Sequence, residues 1–380
     1  MEDHHDRALS ILEELGARPA APFFEDGPAG YIREVLDRLE VSTRRDTYGN
    51  IVAHYSGTTD GSQPPVAFVA HMDHPGFELV SRGDDGVFTA RALGGVPAAS
   101  LRKPTRALVL AADGSRVPAE FVPIASPTPE QAAERLVTAR VEPEASFELP
   151  APVIFDLPDF ELDGDTIRMR ALDDLAGCAS ILAALERLVA DGADADVYAV
   201  FTRAEEVGLI GARLVAEAGT LPEETLVVSV ESSAVIPGVA QGKGPVIRTG
   251  DAARTFDADA EILLIAARES IREREPGFSC QRQLMSGGTC EATAFGAFGY
   301  SVTGVAFPLG NYHNATTSIP DPDGGVGAEY INLSDYLGGV DLIAEAATSA
   351  AGRDRRQPRW ASQAIPDDMR RRLQDTLPAQ

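Results

Sequence analysis

Apolar residues recur at helical spacing in two stretches near the start of the chain, residues 6 to 17 and 30 to 40, and then give way to strand-like runs. GNIVAHYSG followed by PPVAFVAHMD reads as two strands joined by a turn. From about 77 to 168 helical periodicity is weak. Short β-like segments (GVFTARAL, RALVLAADGSRVPAEFV, DTIRMRA) alternate there with Gly, Pro and Asp turns, which predicts a small β-rich insert. After it, helix and strand alternate again. GCASILAALERLVADG carries Ile181, Leu182, Leu185, Leu188 and Val189 on one helical face, VYAVFT is a buried strand, GLIGARLVAEAG a helix and TLVVSV a strand. Residues 258 to 275 and 333 to 350 have helical patterns, with the strand SVTGVAF between them. Strands separated by helices predict an α/β fold with a mostly parallel sheet. The expected layout is a discontinuous body, 1–76 and 169–350, an insert at 77–168 and a tail at 351–380.

Polar residues gather where the predicted strands end. His71 follows VAFVA, Asp173 and Asp174 precede the helix expected from about Gly177, Glu205 and Glu206 follow VYAVFT, Glu231 follows LVVSV, and His313 follows SVTGVAF. In an open α/β sheet the carboxyl ends of separate strands converge on one edge, so five segments deliver imidazole or carboxylate to one place. The chain has only six histidines, which makes this placement informative. Imidazoles and carboxylates without a thiolate suit Zn²⁺, Mn²⁺ or Co²⁺, and the set is large enough for two ions sharing a carboxylate. Such a pair is a hydrolytic device.

The segments AHMDHPGFE, ALDDLAGC, FTRAEEVGLIGA, VVSVESS, GKGPVI, SGGTCEA and NYHN resemble, in order and approximate spacing, those of the tetrahedral aminopeptidase and glutamyl aminopeptidase family of dimetal exopeptidases. The resemblance runs from about Gly49 to Leu342. It implies a phosphorylase/hydrolase-like α/β/α sandwich with a mixed, mostly parallel sheet, and an inserted β-barrel-like domain acting as lid or assembly module. It also implies two divalent ions per chain, zinc first and cobalt or manganese as alternatives. Asp173 would bridge them, with His71 and Glu231 completing one site and Glu206 and His313 the other. Glu205 would be the general base, Asp73 would orient His71, and Asp174 would lie across a cis peptide. Elementary chemistry agrees with these roles. Adjacent glutamates on a tight turn point different ways, so one can bind metal while the other takes a proton from water. Asp73, two residues beyond His71 on extended chain, shares its side and can accept the imidazole N–H.

The chain also departs from the family pattern. Glu231 stands where aspartate is usual, Leu175 replaces the arginine after the paired aspartates, His74 follows the HxD, and the usual GGTDA reads Gly287, Gly288, Thr289, Cys290, Glu291, Ala292. Cys290 is read as a packing residue and His74 as a pocket-wall group behind the ligands.

Charge narrows the partners. A net charge of −25 argues against nucleic acid and anionic membranes. Lys103 and Lys243 are the only lysines among 33 basic side chains, a bias of composition without mechanistic meaning. The acidic N-terminus has no signal-like apolar core and no run is long enough to span a bilayer, so a cytoplasmic protein is expected. Cys178, Cys280 and Cys290 are expected to be thiols. The resulting expectation is a metalloaminopeptidase that removes N-terminal residues from peptides through a metal-bound water and Glu205, assembled as a homo-oligomer between dimer and dodecamer. A dimetal deacylase or carboxypeptidase of the aminoacylase type shares the ligand set, but the position of the insert between the first and second ligand segments favours the aminopeptidase. A catalytically silent scaffold is the remaining alternative.

Overall fold

A computed structural model describes residues 4–57, 65–83, 87–141, 148–349 and 365–376; the tail expectation between 350 and 364 lies outside the described residues. Helices α1 (His4–Gly16) and α2 (Asp26–Arg38) lead into β1 (Ser42–Arg45), β2 (Ile51–Ser56) and β3 (Val66–His71). The chain then leaves for β4 (Gly76–Arg82), β5 (Val87–Leu93), β6 (Thr105–Leu110), β7 (Arg116–Val122), the short helix α3 (Pro129–Ala133), β8 (Leu136–Val141) and β9 (Ala151–Phe155). It returns through β10 (Glu161–Asp163) and β11 (Thr166–Met169) to the long helix α4 (Leu172–Asp191). Next come β12 (Asp196–Thr202), α5 (Ile210–Glu217), β13 (Leu226–Ala234), β14 (Val246–Arg248) and α6 (Ala258–Arg274). The body closes with β15 (Gln281–Gln283), α7 (Glu291–Ala297), β16 (Ser301–Leu309), β17 (Glu329–Asn332) and α8 (Leu333–Ser349), followed by α9 (Asp367–Asp375).

The body is built on an eight-stranded sheet in the order β1-β2-β12-β3-β13-β16-β14-β15. The central four strands, β12, β3, β13 and β16, run parallel, while β2 and β14 flank them antiparallel, so the sheet is mixed as expected. Both faces are covered, which explains why β3 is buried at every position. Along β3 the residues alternate. Phe68 and Ala70 pack with α1, α4, α6 and α8 on one side, and Ala67 and Val69 pack with α5 and α7 on the other. The insert is a closed six-stranded barrel, β4-β5-β8-β7-β6-β9, with its own core around Phe77, Phe121 and Phe155. The Phe77 ring lies 4.1 Å from that of Phe121 and 5.7 Å from that of Phe155, centroid to centroid.

Two local features differ from expectation. Helix α4 begins at Leu172 rather than near Gly177, and its first turn contains Asp173 and Asp174 in non-helical conformations (φ −87°, ψ 100° and φ −126°, ψ 39°). The strands β14, β15 and β17 were not anticipated, because runs of three or four residues between Gly, Pro and Asp have too little periodicity to register. Of these, β17 bears on the polar cluster. It pairs antiparallel with β11, Met169 opposite Glu329, and so ties the segment entering α4 to the segment leaving His313. Among the described residues no helix is long and apolar enough to cross a membrane.

Candidate metal centre

The parallel strands end side by side. Thr202 at the end of β12 pairs with His71 at the end of β3, and Glu231 lies in β13 opposite Ala306 of β16. Residues 203 to 209 leave β12 in a tight turn carrying Glu205 and Glu206, with Ala204 and Leu209 in the left-handed region (φ 53° and 58°). His313 sits in a single 3₁₀ turn after β16, also left-handed at φ 55°. Asp173 reaches the same place from the first turn of α4, and its peptide bond to Asp174 is cis.

These segments bring six side chains together. His71 Nδ1 donates to the carbonyl of Asp73 at 3.0 Å, which leaves Nε2 free to face Asp173 Oδ1 at 3.4 Å, Glu205 Oε2 at 3.9 Å and Glu231 Oε2 at 3.9 Å. His313 Nδ1 donates to the carbonyl of Gly95 at 3.2 Å, and its Nε2 faces Asp173 Oδ2 at 3.5 Å and Glu206 Oε2 at 3.3 Å. The two carboxylate oxygens of Asp173 therefore point to different imidazoles. Ligand atoms of His71, Asp173 and Glu231 lie within 4.8 Å of one another, as do those of Asp173, Glu206 and His313, and those of His71, Glu205 and Glu206.

Electrostatics makes the cluster costly as it stands. Burial raises the Glu205 carboxyl well above its usual range, with Glu231, Asp73 and Asp173 adding to the rise. Burial raises Glu206 likewise, helped by Asp173 and Glu205. Burial alone would lower the His71 imidazole, but the carboxylates of Glu205, Asp173 and Glu231 outweigh it and hold it well above its ordinary value. Asp173 Oδ1, Asp174 Oδ2 and Glu206 Oε1 are buried without a hydrogen-bond partner. Orphaned carboxyl oxygens beside the Nε2 atoms of two imidazoles form a donor set that fits divalent cations with N and O preferences.

The turn holding the two glutamates is fixed from behind by side chains that accept from its backbone. Arg203 N donates to Asn50 Oδ1 at 3.0 Å, Ala204 N to Glu25 Oε1 at 3.0 Å, and Glu205 N and Glu206 N to the two oxygens of Asp73 at 3.0 and 3.1 Å. Four successive amides thus find acceptors outside the turn. Asp73 was expected to take the His71 N–H on its carboxylate; its main-chain carbonyl takes it instead, the carboxylate Oδ1 lying 3.7 Å from Nδ1. The carboxylate is occupied by the glutamate turn.

Other groups surround the cluster. His74 is buried, bonds through Nδ1 to the Asp173 carbonyl, and has its imidazole pushed down to about 4 by burial. Cys290 is buried at the N-terminal end of α7, with its thiol pushed up by burial, consistent with packing. Glu291 is fully buried and accepts from Ser229 Oγ at 2.9 Å and Thr202 Oγ1 at 3.4 Å. Ser229 Oγ also lies 3.4 Å from Glu231 Oε1, so the two glutamates share a hydroxyl. Arg248 is 2% exposed, and with Glu231, Met285, Gly287, Gly288 and Tyr312 it lines a small cleft beside the cluster. Glu25, Asn50, Arg248 and Glu329 were not singled out from the sequence. A lone polar residue inside an apolar pattern is a faint signal for burial, and each meets partners distant in sequence.

The model of the M42 glutamyl aminopeptidase family matches residues 137–322, a span that contains Asp173, Glu205, Glu206, Glu231 and His313. A relative from Acetivibrio thermocellus, described as "Putative aminopeptidase", is 26% identical over 335 residues, which are 83% of this chain and 89% of the relative. Among solved structures, the dodecameric PhTET1-12s superposes with a TM-score of 0.71 at 25% identity, covering 89% of this chain and 98% of that one. Aminopeptidase APDkam598 from the archaeon Desulfurococcus kamchatkensis superposes with a TM-score of 0.72 at 23% identity, covering 96% and 99%.

The barrel loop offers a direct test of the site's construction. A Cβ on Gly95 would overlap the Nδ1 edge of the His313 ring, so Gly95→Ala is expected to push the imidazole from its place. Metal content and turnover should fall together while circular dichroism stays that of the wild type. Unchanged metal content and turnover would show that the barrel does not position His313.

Proposed function

We propose that the chain is a divergent member of the M42 glutamyl aminopeptidase family, a hydrolase of the peptidase class that removes N-terminal residues from peptides with the help of two divalent metal ions. One observation carries this reading: the two oxygens of Asp173 face His71 Nε2 at 3.4 Å and His313 Nε2 at 3.5 Å, the arrangement of a carboxylate shared between two sites. His71, Asp173 and Glu231 would hold one ion, and Asp173, Glu206 and His313 the other. Zinc suits this donor set best, with cobalt or manganese able to replace it. Such ions supply Lewis acidity, which polarises a scissile carbonyl and acidifies an attacking water.

Glu205 is the group placed to move the proton. Its side chain is 11% exposed, while that of Glu206 is 4% exposed and turned towards His313. Asp73 fixes the backbone of both, so their divergent directions are set by the turn. Glu205 therefore accepts a proton from the attacking water and returns it to the leaving amine.

Assembly follows the same reading. The dodecameric relative and the six-stranded barrel support a homo-oligomer, up to a dodecamer, whose enclosed space would restrict substrates to peptides. Multi-angle light scattering at micromolar concentration is expected to give a mass several times that of one chain. A monomer at that concentration would contradict the assembly.

Two variants separate chemistry from metal binding. Glu205→Gln is expected to retain the wild-type metal content and to lose turnover of aminoacyl arylamides by about 10²–10⁴-fold, the general-base contribution. Asp173→Asn is expected to lose metal from both sites, because an amide cannot neutralise two dications. A Glu205→Gln enzyme that works at the wild-type rate, or fails only because it has shed metal, would overturn the choice of base.

A further inference from the structure

Glu329 lies at the start of β17 and belongs to none of the groups that could hold an ion. It is completely buried. Its Oε2 accepts from the backbone amides of Leu172 at 2.8 Å and Asp173 at 3.0 Å, and its Oε1 accepts from the amide of His313 at 2.8 Å. One carboxylate thus grips the main chain of the shared aspartate and of the imidazole facing it. No regular hydrogen-bond ladder does that work. Asp173 is non-helical within the first turn of α4, and His313 is left-handed in a turn of three residues. The two segments are also tied through His74, which lies against the Asp173 carbonyl and Asn314 Oδ1, and through Asn314 Nδ2, which donates to the Arg170 carbonyl; Glu329 is the side chain that bonds the amides of Asp173 and His313 themselves. The anchor itself is fixed by the ladder of β11 and β17, in which Met169 stands opposite Glu329 and the chain runs directly on to Asp173.

We propose that Glu329 is a positioning residue, whose buried carboxylate sets the distance and orientation between Asp173 and His313 and so determines how tightly the site holds metal. The inference rests on the dimetal reading. Partners one layer behind metal ligands orient those ligands, and their loss typically weakens metal affinity or activity about 10–100-fold. Glu329→Gln keeps the volume and one acceptor oxygen, but its NH₂ group would meet amide N–H donors and cannot accept from them. The amide oxygen can keep the Oε2 position and its bonds to Leu172 and Asp173, which leaves the His313 amide facing the NH₂ group. The metal-free fold therefore loses one buried hydrogen bond of three, a modest cost, whereas the ligand geometry loses the half of its anchor that holds His313.

The experiment measures Zn²⁺ affinity by chelator competition, kcat and KM on aminoacyl arylamides, and the thermal unfolding of metal-free protein, for wild type, Glu329→Gln and Glu329→Asp. For Glu329→Gln, Zn²⁺ affinity and kcat are expected to fall by about 10–100-fold, with KM little changed and the metal-free Tm lowered only modestly, the protein remaining folded at the assay temperature. Glu329→Asp restores the charge one methylene short and is expected to recover part of both losses. Wild-type affinity and kcat per folded Glu329→Gln molecule would overturn the proposal, whatever the Tm. So would failure of both variants to fold, because that would make the residue a support of the core. A wild-type protein that binds no Zn²⁺ would instead remove the dimetal reading, a result distinguishable before any variant is compared.

Discussion

Four carboxylates brought to the edge of one sheet, with buried oxygens left unpaired, would repel one another unless positive charge joined them. Asp173, Glu205, Glu206 and Glu231 are in this position around two imidazoles. Transferring an ionised carboxylate out of water costs far more than any packing contact returns, so groups of this kind are either protonated or bound to cations. The elevated affinity of Glu205 and Glu206 for protons is the metal-free expression of that cost. A divalent pair would satisfy it, and the remaining architecture can be understood as the means of holding the cluster together until the ions arrive.

That holding is done mainly through backbone amides. Asp73 accepts from Glu205 and Glu206, Glu25 from Ala204, Asn50 from Arg203, and Glu329 from Leu172, Asp173 and His313. Turns that would otherwise be free to rearrange are thereby pinned to distant parts of the chain. Glu25 is itself fixed by an ion pair with Arg203, whose Nε lies 2.6 Å from Oε2. The barrel participates as well, since the Gly95 carbonyl holds the ring of His313. An insert expected to serve as lid or assembly module thus also touches the site itself.

The convergence of these polar residues was legible in the sequence because each of them follows or precedes a strongly apolar segment. VAFVA, VYAVFT and LVVSV mark buried parallel strands, and a polar residue at the end of such a strand has one edge of the sheet to occupy. The start of α4 was misplaced because Asp173 and Asp174 are not helical, and helical periodicity becomes visible only beyond them. Glu329 and Glu25 escaped notice for a different reason. Each is one acid near the end of a short element, and its importance lies in amides up to 179 residues away. The barrel was implied by the family resemblance and not by the residue pattern, since the antiparallel order of β4 to β9 depends on long-range pairing that alternation of polar and apolar residues does not specify. Glu231 and Glu291 sit between these cases. Both departures from the family pattern were visible, but only the structure shows that they face each other across Ser229.

Asp173 is the carboxylate proposed to be shared between two ions. Anomalous diffraction from crystals grown with Co²⁺, recorded on both sides of the cobalt edge, tests this directly. Two peaks are predicted, about 3.5–4 Å apart as in dimetal hydrolases, one beside each oxygen of Asp173, with His71 and Glu231 on one and Glu206 and His313 on the other. A single peak, or peaks that leave Asp173 without an ion on either oxygen, would contradict it.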